Sequence, residues 1–124
     1  MSRTLLYVDD DADIRTIVGM ALELDTHFTP VLADGGAQAM RLIADGLRPD
    51  VVVLDVMMPD MDGLTLLDHL RPLLPGRVPI LFMTAKGRQA DRALYLARGA
   101  QGVLVKPFDP VRLGSDIRAL IGIC

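Results

Sequence analysis

Short apolar runs that stop dead at a polar residue recur along this chain. Leu5–Val8 stops at Asp9, Val51–Leu54 at Asp55, Ile80–Met83 at Thr84, and Val103–Val105 at Lys106. A weaker run, Phe28 to Ala33, stops at Asp34. Runs this short, unbroken and partly β-branched predict strands buried on both faces, as in a parallel sheet.

Helical patterns fill the intervals. Ile14, Ile17, Val18, Ala21 and Leu22 recur at helical spacing, with Asp11 or Asp13 available as N-cap. A second helix, Ala37 to Ile43, is entered through Asp34-Gly35-Gly36. Leu64, Leu67 and Leu70 mark a third, which ends near Pro72, with Pro75-Gly76 enforcing the stop. Ala90, Leu94 and Ala97 line a fourth, closed by Gly99. Val111 to Ile121 is a fifth, opened by Asp109-Pro110, because proline suits a first helical turn.

Strand and helix thus alternate five times. That order predicts a doubly wound α/β fold, a five-stranded parallel sheet with five helices on its two faces. Two strand orders are plausible for such sheets, and 2-1-3-4-5 fits five units. In that order strands 1 and 3 are neighbours at the switch point, where ligands bind beyond the carboxyl ends of the strands. Asp9, Asp10 and Asp55 would converge there, and Thr84 and Lys106 would close in from strands 4 and 5. The five units use up residues 1–124, so one domain is expected, without linker or repeat.

Composition adds exclusions. With a net charge of −3 the chain has no basic face for direct nucleic-acid binding. Its one cysteine, Cys124, cannot form an internal disulfide. No apolar run reaches membrane-spanning length and no signal peptide opens the chain, so no membrane partner and a cytoplasmic location are expected. Of 16 acidic residues all but Glu23 are Asp, and of 13 basic residues only Lys86 and Lys106 are Lys. Codon bias is the plain reading, yet a lysine kept in an Arg-rich chain suits a site that needs a compact ammonium.

The strand ends carry the chemistry. Carboxylates gathered in one crevice repel one another unless a proton or cation compensates them. An all-oxygen set suits a hard cation, and Mg2+ needs few protein carboxylates. A carboxylate can also attack phosphorus and form an acyl phosphate. Catalysis then consists of positioning and of neutralising the phosphoryl oxygens, by Mg2+, by the Lys106 ammonium and by the Thr84 hydroxyl. Any one of these residues has a duller explanation. A lone Asp at a strand end is often a helix N-cap, and Lys106-Pro107 could be a turn. The weight lies in all four strand ends agreeing.

At these residues the chain resembles a response-regulator receiver domain, the phosphoacceptor unit of two-component signalling. The matching segments are Tyr7-Val8-Asp9-Asp10, Leu54-Asp55-Val56-Met57-Met58-Pro59-Asp60-Met61-Asp62-Gly63, Met83-Thr84-Ala85 and Val105-Lys106-Pro107-Phe108. The resemblance covers essentially the whole length and implies a flavodoxin-like fold. It implies Asp55 as phosphoacceptor, and Asp9, Asp10, Asp55 and the Met57 carbonyl as the Mg2+ site. It implies Thr84 and Lys106 as contacts of the phosphoryl group, and a cis bond at Lys106-Pro107. The donor would be a histidine kinase or histidine phosphotransfer protein, and the recipient of the signal a downstream effector domain or protein. Such a domain catalyses only its own phosphorylation and dephosphorylation.

The chain departs from that pattern at one place. The family usually has Tyr or Phe three residues before the lysine, and here that residue is Val103, stiff and without a ring. Output is therefore expected through displacement of helix 4 and its flanking loops, the strand 4/helix 4/strand 5 surface. Tyr95 is expected on the polar face of that helix beside Asp91 and Arg92, as a partner anchor or a solitary surface Tyr. Met57 and Lys86, two residues beyond Asp55 and Thr84, are expected to flank the path of an attacking water and set the phosphoryl lifetime.

Three rival readings stand beside this one. The first is a phosphate-independent interaction domain on the same fold, against which the complete Asp/Thr/Lys set argues. The second, a haloacid-dehalogenase-type enzyme, would need a hydroxyl in the Asp9-Asp10-Asp11-Ala12-Asp13 segment, which has none. The third, an FMN carrier, would need phosphate donors in a loop that is here acidic.

Overall fold

The computed structural model describes residues 2–85 and 89–123; Lys86 and Cys124 lie outside them. Among the described residues the order is β1 (Arg3–Val8), α1 (Ala12–Glu23), β2 (Phe28–Ala33), α2 (Gly36–Ala44), β3 (Val51–Asp55) and α3 (Gly63–Leu70). A 3-10 turn (Arg71–Leu73) follows, then β4 (Ile80–Thr84), α4 (Gln89–Ala97), β5 (Gly102–Val105) and α5 (Leu113–Ile121). The strands form one sheet in the order β2-β1-β3-β4-β5, every pair parallel. This is the doubly wound arrangement that the strand–helix alternation predicts.

Side chains alternate between two apolar layers, as the pleat requires. Leu6, Val8, Val52, Leu54, Ile80 and Phe82 face α2, α3 and α4. Leu5, Tyr7, Val51, Val53, Leu81 and Met83 face α1 and α5. Burial on both faces explains why the strands read as unbroken apolar runs. The exception is β2, an edge strand, where Pro30 is tolerated because an edge need not use every N–H.

The helix starts follow from local chemistry. Asp11 caps α1, its carboxylate accepting from the amides of Asp13 and Ile14. Asp62 caps α3 by accepting from the Thr65 amide. The fifth helix begins two residues later than its apolar pattern suggests. The Val111 amide donates to Asp109 Oδ1 and the Arg112 amide to the Asp109 carbonyl. That turn uses up the donors with which a helix would start, and it leaves Val111 86% exposed.

Helix α4 corrects the expectation for Tyr95. The residue is not on a polar face: it is 4% exposed, its ring centroid 5.3 Å from that of Phe82. Leu94, expected inward, is 49% exposed, and Ala90 and Ala97 are exposed too. The helix is turned so that its one aromatic ring meets the sheet, because a ring buries far more apolar surface than an alanine and adds ring–ring contact. Tyr95 and Val103 belong to the same apolar cluster. The strand 5 position without a ring thus lies in a layer to which helix 4 supplies one.

Candidate functional site

At the carboxyl ends of β1 and β3 lies a crevice of about 190 Å³, lined by Asp9, Asp10, Asp11, Asp55, Met57, Ala85 and Lys106. It forms because β1 and β3 are neighbours and end in register, Val8 beside Leu54. Asp9 follows the last residue of β1, and Asp55 is the last of β3. One carboxylate oxygen from each of Asp9, Asp10 and Asp55 lies within 4.8 Å of the others. The donors are all oxygen and anionic, which fits a hard divalent cation such as Mg2+. Asp9 is 0% exposed and Asp55 is buried, whereas Asp10 is exposed.

Lys106 spans two of these carboxylates. Its Nζ donates to Asp55 Oδ1 at 3.0 Å and to Asp9 Oδ2 at 3.1 Å. The Asp55 carboxyl is raised to about 6: burial pushes it up, the Lys106 hydrogen bond and charge pull it down, and the charges of Asp9 and Asp10 add to the rise. Burial alone would lower the Lys106 ammonium, but its bonds to Asp55 and Asp9 hold it above the ordinary lysine range. Lys106 is followed by a cis peptide bond to Pro107, and its amide donates to the Thr84 carbonyl at 2.8 Å. That bond ties the ends of β4 and β5 together beside Asp55.

Gly63 lets the loop after β3 close. A Cβ there would stand 2.5 Å from the Asp55 carbonyl oxygen. The Gly63 amide donates to the Val56 carbonyl at 2.9 Å, so the start of α3 packs directly on the backbone that carries Asp55. This gives a physical reason for glycine at the end of the Asp55–Gly63 segment.

Asp9, Asp10, Asp55, Met57 and Lys106 come together as the sequence suggests. Met57 lines the crevice and is 63% exposed. Thr84 is buried at the end of β4, outside the crevice lining. Val103 is buried in the layer under α4, and Tyr95 is packed beneath the same helix. Lys86 lies outside the described residues.

Sequence reasoning passed over the support around Asp9. Tyr7 OH donates to Asp9 Oδ2 at 2.6 Å, the Asp11 amide to Asp9 Oδ1 at 3.0 Å, and Arg15 Nη1 to the Asp9 carbonyl at 2.8 Å. The signal was present for Tyr7. A hydroxyl in the otherwise aliphatic run Leu5–Val8, two residues before Asp9, must share its face of the sheet.

Comparison with known proteins agrees with this architecture. The chain belongs to the response regulator receiver domain family, whose model matches residues 5–118. It is 41% identical over 117 residues to the probable transcriptional regulator ycf27 of Guillardia theta, covering 94% of this chain and 44% of that protein. It is 37% identical over 117 residues to the transcriptional regulatory protein CpxR of Escherichia coli K12, covering 94% and 48%. The chain thus spans about half the length of the curated relatives it matches. Among solved structures, the chemotaxis protein CheY4 of Vibrio cholerae superposes with a TM-score of 0.85 at 31% identity, covering 97% of this chain and 99% of that one. The receiver domain of NtrX from Brucella abortus gives 0.81 at 28%, covering 97% and 99%. This is a receiver domain of two-component signalling, with the flavodoxin-like fold. No helix among the described residues is long and apolar enough to cross a membrane.

Proposed function

We propose that Asp55 is the phosphoacceptor, that Mg2+ is the cofactor, and that residues 1–124 act as one receiver unit in the cytoplasm. The donor is a histidine kinase or a histidine phosphotransfer protein. The observation that carries this reading is the pairing of a buried carboxylate with an ammonium at 3.0 Å, inside a group of three aspartates. Among the described residues, no other arrangement at the strand ends combines a nucleophile, an all-oxygen cation site and a lysine.

An Asp55 carboxylate oxygen attacks the phosphorus of the donor, the bond from phosphorus to the donor imidazole breaks, and the imidazole leaves with that electron pair. With its acidity near 6, Asp55 is ionised at neutral pH and available as nucleophile. Asp9, Asp10, Asp55 and the Met57 carbonyl are the residues that would hold Mg2+. When bound, the ion neutralises carboxylate charge and stabilises negative charge on the phosphoryl oxygens. Lys106 turns its ammonium to one phosphoryl oxygen and Thr84 its hydroxyl to another. Both movements pull on the ends of β5 and β4, and the surface of β4, α4 and β5 carries the signal to an effector domain or protein.

The test is Mg2+-dependent labelling by acetyl phosphate. The expected product carries one phosphoryl group on Asp55, lost in Asp55→Asn and on chelation of Mg2+. A protein that stays unlabelled would overturn the reading and leave a phosphate-independent interaction domain on the same fold.

A further inference from the structure

Tyr7 is a buried hydroxyl that the phosphoryl-transfer scheme does not use. Its ring fills the layer between the sheet and the helices α1 and α5. Its hydroxyl reaches up the same face of the sheet to Asp9 Oδ2, at 2.6 Å. Lys106 Nζ donates to that same oxygen at 3.1 Å. Asp9 is fully buried, and its other oxygen is taken by the Asp11 amide.

The arrangement bears on how Lys106 moves. Lys106 holds Asp9 and Asp55 together, and meeting a phosphoryl group on Asp55 requires it to loosen from Asp9. A buried carboxylate oxygen that loses its only donor is costly to leave unpaired. Here Asp9 Oδ2 has a second donor that stays behind. That donor is the Tyr7 hydroxyl, fixed beneath Asp9 by a ring that is itself fully buried.

We propose that Tyr7 is a positioning residue of this site: its hydroxyl holds the oxygen of Asp9 that Lys106 also holds, so Lys106 can turn to a phosphoryl group without stranding a buried carboxylate. The inference rests on the reading of Asp55 as the phosphoacceptor. A purely structural role would instead have the ring fill the layer and the hydroxyl take the nearest acceptor, with no bearing on Lys106.

The two roles separate in Tyr7→Phe, which keeps the ring and removes the hydroxyl. Lysine side-chain nitrogen resonances report Lys106 directly, since the chain has two lysines and Lys106→Arg assigns the signal. With saturating Mg2+, fluoroberyllate serves as the phosphoryl mimic. In Tyr7→Phe the fluoroberyllate concentration that half-shifts the Lys106 resonance should rise about three- to tenfold, and the acetyl phosphate labelling rate should fall by a similar factor. Tyr7→Leu, also without a hydroxyl, should behave alike. A Lys106 resonance that shifts at the parent's concentration in Tyr7→Phe would overturn the inference, as would an effect confined to Tyr7→Leu, which marks packing. Should Asp55 take no label in the parent while the Lys106 resonance still depends on Tyr7, the phosphoacceptor reading fails and the inference falls with it, leaving only a coupling of Tyr7 to Lys106 through Asp9.

Discussion

Lys106 Nζ stands 3.0 Å from Asp55 Oδ1, so the strand that ends the sheet's far edge supplies the cation for the carboxylate at its centre. The two residues are 51 positions apart in the chain. Their meeting is made by the sheet order, which places β4 alone between β3 and β5. This ammonium pairs with two buried carboxylates at once.

Removing the ammonium should therefore cost stability before it costs chemistry. Lys106→Ala is expected to lose about 1–3 kcal/mol at pH 7 without Mg2+, because Asp9 and Asp55 lose a shared partner. Urea unfolding measures the loss, and saturating Mg2+ should restore most of it. Labelling of Asp55 should remain weak even with Mg2+.

The pH dependence of Asp55 has a definite sign. Its folded value of about 6 lies above its unfolded value of 3.8. Its contribution to stability is therefore fully present below pH 3.8 and is lost as the pH rises through about 6. Without Mg2+, Asp55→Asn should melt about 3–6 °C above the parent at pH 8, and the gap should shrink as the pH falls towards 4. A thermal melt series across that range checks it. A gap that grows at low pH would reverse the assignment.

Tyr95 should behave as a core residue and Leu94 as a surface one. Tyr95→Ala is expected to cost about 3–4 kcal/mol, in the range of other buried aromatic truncations. Leu94→Ala should cost less than about 1 kcal/mol. Equal losses from the two would contradict the observed rotation of α4. Fluoroberyllate with Mg2+ should also shift backbone resonances through residues 89–108, since α4 and β5 share the layer that holds Tyr95 and Val103.

Gly63→Ala should strike the backbone it packs against. The added Cβ meets the Asp55 carbonyl oxygen at 2.5 Å and Val56 Cα at 3.1 Å. Backbone cannot rotate aside, so a loss of about 1–3 kcal/mol is expected. The Asp55 labelling rate should fall with it, a joint effect that unfolding and labelling assays can separate from simple unfolding.

Met57 offers a test of phosphoryl lifetime. The residue is exposed and lines the crevice, and a thioether is a poor partner for water. Met57→Asn adds an amide that can orient a water towards the phosphorus. The label on Asp55 should then disappear several-fold faster than in the parent, as a decay time course would record.

Much of this protein is legible in one dimension because parallel strands advertise themselves. Runs such as Val51–Leu54, buried on both faces, carry no polar residue until the strand ends, so the stops at Asp9, Asp55, Thr84 and Lys106 mark both the strand ends and the site. Alternation of strand and helix, with right-handed crossovers, then leaves few ways to assemble the sheet. The motif around Asp55 is local and needs no tertiary information to be read.

What local pattern could not decide was which way α4 faces. Ala90, Leu94 and Ala97 form a good apolar stripe, but they compete with a single ring, and that contest depends on Phe82 waiting on β4. Nor could sequence show that Tyr7 and Lys106 share one oxygen of Asp9, since that oxygen is defined only once β1 and β5 lie in the same sheet. The sequence by itself determined the strand ends, the helix order and the aspartates of the crevice, because each is set by neighbours a few residues away. The partners of Asp9 and the facing of Tyr95 were decided by the tertiary structure, because burial and hydrogen bonding are settled among groups the chain brings together from far apart.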